Sequence, residues 1–251
     1  MRIRMLVAAS LLLSTQPLFS GQSQPPADMG GHYLYRAELI QAAPGKLTEL
    51  IELYKRKAQL DRDLRDEPAL WMRHSQGDRW DLLRLVPMSN YAEYYEPKRQ
   101  AARALALTQA SWIATMRDDI VWEDDVFVSG PPIDILRNAF AEGAFFHVEM
   151  FQVLPGHMTD LHHERVMENA YAAAIGQPQN FIFVKDQGAA WDLFTIGVFR
   201  DLKHYAESSA VAPEKAEAAA HAAGFSSASD IGPYLRRWIA LHHDTLAVAV
   251  K

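Results

Sequence analysis

From His32 to Gln41 apolar and polar residues alternate, with Tyr33, Tyr35, Ala37 and Leu39 on one face and His32, Arg36 and Glu38 on the other. A period of two predicts a strand. Pro44-Gly45 breaks it, and Leu47, Leu50, Ile51, Tyr54 and Ala58 then recur at the spacing of one helical face within Lys46 to Arg65. Ala69 to Arg73 predicts a second strand, Gln76-Gly77-Asp78 a turn and Trp80 to Val86 a third strand, which together read as a hairpin. Helical spacing resumes from Asn90 to Met116, a last strand covers Ile120 to Val128, and Gly130-Pro131-Pro132 closes the unit.

The same pattern then begins again. Moved by 111 positions, the sequence registers on itself without a gap from about Tyr35 to Glu96. Glu38, Gln41, Pro44 and Gly45 return as Glu149, Gln152, Pro155 and Gly156. Gln76, Gly77, Trp80 and Asp81 return as Gln187, Gly188, Trp191 and Asp192. Trp112-Ile113-Ala114 and Asp118 match Trp238-Ile239-Ala240 and Asp244 only after about fifteen extra residues, which the Ala-rich stretch from Val211 to Phe225 would hold. A duplicated unit follows from this self-similarity.

Each unit has the order β-α-β-β-α-β, the split ferredoxin-like motif. Helices cover one face of such a sheet, and the other needs an apolar partner. The expected fold class is therefore α+β: two tandem ferredoxin-like repeats whose antiparallel sheets pack face to face within one chain. Boundaries fall at residues 32–130 for the first repeat, 131–142 for a linker and 143–251 for the second.

With these features the chain resembles the dimeric α/β-barrel superfamily in a tandem form, similar to its antibiotic-biosynthesis-monooxygenase-like members. Tyr35-Arg36 followed by Pro44-Gly45-Lys46 looks like the opening motif of NIPSNAP-like members, and the second repeat departs from it with Phe146-His147 and Pro155-Gly156-His157. The resemblance implies a small-molecule role. Cofactor-independent monooxygenases, haem-degrading enzymes, chlorite-dismutase-like haem proteins, isomerases and proteins without known activity all share this fold, so function has to be argued from the site.

The N-terminus changes the expected location. Arg2 and Arg4, the apolar run Leu6 to Leu13 and small residues up to Gly21 form a secretory signal pattern, followed by a leader at residues 22–31. A periplasmic or secreted protein is expected. Without residues 1–21 the formal charge moves from −6 to −8, and no basic run is present. That balance excludes nucleic acid and anionic membranes as natural partners. A homodimer stays open. The absence of cysteine removes disulfides and thiol catalysis.

Candidate chemistry comes from comparing the repeats. The helix stripe Leu47, Leu50, Ile51, Tyr54 and Ala58 maps onto Met158, Leu161, His162, Arg165 and Asn169. Polar groups on a buried stripe need partners, so either the helix of the second repeat is rotated, with Val166, Ala170 and Ala173 extending its buried stripe, or it lines a polar pocket between helix and sheet. Eight of the ten histidines lie in that repeat or its tail. His147 and His162 are the candidate catalytic bases, with Arg165, Asn169, Trp191, Glu149, Arg36 and Glu38 as candidate binding residues. Arg36, Glu38, His147 and Glu149 are expected to point away from the helices, toward the facing sheet or solvent. His147, Glu149 and another histidine would make a metal triad, but nothing fixes the third ligand. Neither haem nor a divalent metal has a sequence signature, and no cofactor is assigned. A non-catalytic module for a porphyrin-like ligand and a structural protein with a filled core are the alternatives.

Overall fold

The computed structural model describes residues 30–250; the signal pattern and most of the leader lie outside them. The first repeat comprises β1 (Tyr33–Ala42), α1 (Leu47–Asp63), β2 (Leu70–Gln76), β3 (Leu82–Ser89), the helices α2 (Tyr91–Tyr94), α3 (Pro97–Gln109) and α4 (Trp112–Asp118), and β4 (Ile120–Gly130). A linker helix, α5 (Ile133–Glu142), leads to the second repeat. That repeat contains β5 (Phe145–Val153), α6 (Met158–Ile175), β6 (Phe181–Gly188), β7 (Leu193–Phe199), α7 (Leu202–Ala206), α8 (Pro213–Ala223), α9 (Ile231–Leu235) and β8 (Ile239–Ala249).

The eight strands form one closed barrel in the order β1-β3-β2-β8-β5-β7-β6-β4, every pairing antiparallel. The two four-stranded sheets face each other across its interior, and their edges also join, β2 to β8 and β4 to β6. Closure removes every free edge, the usual liability of a sheet.

The seams need glycine. Gly77 (φ +128°) and Gly188 (φ +99°) stand at equivalent turns, and a Cβ on either would lie 2.3 Å from Asp244 O or 2.6 Å from Asp125 O. The recurring Gln-Gly of the sequence is where each half touches the other.

Tyr35, Ala37 and Leu39 of β1 meet Phe146, Val148 and Met150 of β5 inside the barrel, with Phe183 stacked on Phe194. The remaining cavity there is about 10 Å³, room for one water at most. Leu136 of α5 is fully buried against this core. The barrel is thus solid, and any ligand site lies in the helix–sheet layers outside it.

Two expectations change. Because the Tyr35 face fills the barrel, strand alternation turns Arg36, Glu38, His147 and Glu149 toward the helices and not toward the facing sheet. The last strand also has a different offset: Ala42 pairs with Ile120, and Val153 with Ile239. Equivalent residues of β4 and β8 are therefore 119 apart, eight more than the 111 of the earlier strands. Ile113 lies in a helix whereas its match Ile239 opens a strand, so that sequence match is not a structural one.

Candidate functional site

With the offsets corrected, six positions converge on the helix side of each sheet. In the first repeat they are Arg36, Glu38, Tyr54, Arg84, Glu123 and Asp125. In the second they are His147, Glu149, Arg165, Thr195, His242 and Asp244. The glutamate is common to both, but its partner has moved. Arg84 is opposite Glu38 on the neighbouring strand and pairs with it, stacking its guanidinium 3.9 Å from the Tyr54 ring centre. In the second repeat Thr195 takes the strand position, and the guanidinium comes from the helix as Arg165, 3.2 Å from Glu149.

The first-repeat layer holds an open cleft of about 390 Å³. Its floor is Glu38, whose two oxygens accept from Arg36 and Arg84. Leu60, Leu107, Met116 and Ile120 supply apolar wall, and Tyr94 and Arg103 close one side. Burial, reinforced by Glu38 and Asp125, raises the pKa of Glu123. Burial likewise raises Asp125, more than Arg36 beside it lowers it. Lined this way, the cleft offers a carboxylate of increased basicity next to a guanidinium.

The second-repeat layer is filled. Arg165, 2 % exposed, bonds Glu164, Glu168 and Glu149. Thr195 Oγ1 donates to Glu149 at 3.0 Å. Burial works to raise Glu149, but Arg165, then His242 and His147, pull it down to about 2. Glu168 is pushed up to about 7 by burial, against the lowering effect of Arg165. Burial opposes protonation of His242, yet Asp244 and Glu149 raise it to about 9, and His147 is raised in the same way, chiefly by Asp244. The filling follows from small residues: Ala219 and Ala220 of α8 are buried, and Ala220 packs on Met167 of α6. In contrast α3 buries no residue and stands over an open space.

The pocket expected in the second repeat is thus replaced by an ion network, and the open space is in the first. His147, Glu149 and Arg165 do come together, as do Arg36 and Glu38. His162 is half-buried on α6 outside the network. Asn169 pairs with the backbone of Asn180, tying α6 to the start of β6. Trp191 packs against the barrel core, away from both layers. Arg84, Glu123, His242, Asp244, Glu164 and Glu168 were not singled out from the sequence. The recurring aspartates are structural: Asp81 accepts from Ala42 N at 2.8 Å and Asp192 from Val153 N at 2.9 Å.

Neither layer presents a free histidine to a haem iron: none lines the cleft, and Arg165 with its carboxylates occupies the layer that holds His147 and His242.

Fold and site define a tandem dimeric α/β barrel with one open and one filled helix–sheet layer. Among solved structures it is similar to an anthrone oxidase-like protein (TM-score 0.57, 9 % identity, covering 89 % of this chain and 94 % of that one). A provisionally assigned monooxygenase from Lactobacillus acidophilus aligns with TM-score 0.52 and 9 % identity over 86 % of this chain and 93 % of that one. A second, from Fusobacterium nucleatum, gives 0.50 and 9 % over 88 % and 94 %. No protein-family model matches the sequence, and no curated protein matches it. The NIPSNAP-like label therefore rests on its short motif alone.

Proposed function

We propose that the protein binds a planar hydroxylated aromatic molecule in the first-repeat cleft and oxidises it with molecular oxygen, as a monooxygenase-like enzyme without a resident cofactor. The observation that carries this reading is the cleft itself, where Glu123 and Arg36 border one space whose lining mixes apolar wall with charged side chains. Glu123 serves as the base that removes a proton from an activated CH2, and Arg36 steadies the enolate left behind. The electrons pass to oxygen. The CH2 becomes a carbonyl, and the second oxygen atom leaves as water.

Anthrone is the first probe, since one structurally similar protein is anthrone oxidase-like. Glu123→Gln is expected to slow oxygen uptake by about 100-fold or more while binding stays within a few-fold. Arg36→Leu is expected to weaken binding. Uptake that is indifferent to Glu123→Gln would show that the base is elsewhere. Binding without any uptake identifies a carrier, a reading favoured by the complete pairing of Glu38 with Arg36 and Arg84.

A further inference from the structure

Glu149, His242 and Asp244 bring three donor atoms within 4.8 Å of one another in the second repeat, and the proposed chemistry of the first-repeat cleft uses none of them. His242 Nε2 is 3.4 Å from Glu149 Oε1 and 3.4 Å from Asp244 Oδ1. It is sealed from solvent and hydrogen-bonds to neither. The His242 side chain is 8 % exposed, so its ring nitrogen is buried between two carboxylate oxygens without a hydrogen bond of its own.

The surroundings hold these atoms in place. Glu149 Oε2 accepts from Thr195 and Arg165, which leaves Oε1 to face His242. The His242 ring stacks on Phe151 with centres 4.9 Å apart and planes 4° from parallel. Asp244 Oδ1 is fixed by His147 Nε2 at 3.0 Å. A separation of 3.4 Å matches the edge of a tetrahedron whose bonds are about 2.1 Å, the length of zinc bonds to imidazole and carboxylate. Charge agrees. Glu149, Glu164 and Glu168 share one guanidinium and Asp244 is paired with imidazoles, so carboxylates outnumber guanidinium groups around the site. Arg165 does not take the place of an ion, because Glu164 and Glu168 hold it and it reaches Glu149 only through Oε2.

The geometry points to a site for a divalent transition metal of the zinc kind, held by His242 Nε2, Glu149 Oε1 and Asp244 Oδ1, with His147 orienting Asp244. Three protein donors leave a fourth position for water. The ion reaches the site past Asp244, whose side chain is 55 % exposed.

The test titrates the chelator-treated full chain with Co2+ and then Zn2+, read by cobalt d–d absorption and calorimetry. One Co2+ per chain, displaced by Zn2+, is expected. His242→Asn and Asp244→Asn should each abolish the stoichiometric site, and His147→Gln should weaken it by about 10–100-fold. His163→Ala, on the exposed face of α6, should leave it unchanged. Asp244→Asn lies at the rim and decides the matter where His242→Asn does not fold. A wild-type chain that binds no stoichiometric metal, or a site that survives Asp244→Asn, overturns the proposal. Neither result touches the first-repeat cleft, which shares no residue with this set.

Discussion

Glu38 and Glu149 occupy one structural position in two electrostatic settings, and the difference predicts unequal sensitivity. Among the described residues Arg165 is the single guanidinium paired with Glu149, Glu164 and Glu168. Removing one partner of a buried ion network leaves uncompensated charge, at a cost of about 3–5 kcal/mol. Arg165→Ala should therefore lower unfolding stability by that amount in urea titration at pH 7. An effect below about 1 kcal/mol would mean that water reaches the carboxylates. Arg165 was visible in the sequence as a guanidinium where the first repeat has Tyr54. What went unread was the compensating change, Arg84 giving way to Thr195. Two substitutions around an unchanged glutamate, at one offset, mark a transferred ion pair.

At the scale of elements, α3 is held over the cleft by charge and not by burial. Asp66, after α1, accepts from Arg99 at 2.7 Å and from Arg103 at 2.6 and 2.9 Å. Burial raises the Asp66 pKa, but hydrogen bonds from Arg103 and Arg99 outweigh it and hold the carboxyl below its ordinary value. A depressed folded-state pKa adds stability that is present above the unfolded value of about 3.9 and lost as pH falls through the folded one. Asp66→Asn should cost about 1–2 kcal/mol at pH 7. That gap should close as both proteins are taken well below pH 4, and a pH-independent gap would assign the effect to packing. The same level explains why His242 and Asp244 escaped notice. Pairing Trp112 with Trp238 placed Asp118 opposite Asp244, whereas the ladders equate Glu123 with His242 and Asp125 with Asp244. Strand order, helix positions and the duplication were legible because period and turn residues are local signals. The inward or outward sense of β1 was not, because both of its faces are buried and only the closed barrel decides which one meets the helices.

For the molecule as a whole, the two seams are the vulnerable lines. Gly77→Ala and Gly188→Ala each force a side chain into the opposite half's backbone at a positive φ. Each is expected to cost about 1–3 kcal/mol and to keep one cooperative unfolding transition, because the shared interior allows neither half to melt alone. Two separate transitions in calorimetry would contradict this. A barrel assembled from two identical chains must furnish both of its flanks alike. Joining the halves covalently lifts that constraint, so one flank can specialise while the other is free to become something else. A saturation-mutagenesis map should accordingly be lopsided, with the Arg84 and Thr195 positions tolerating quite different residues despite their common ancestry.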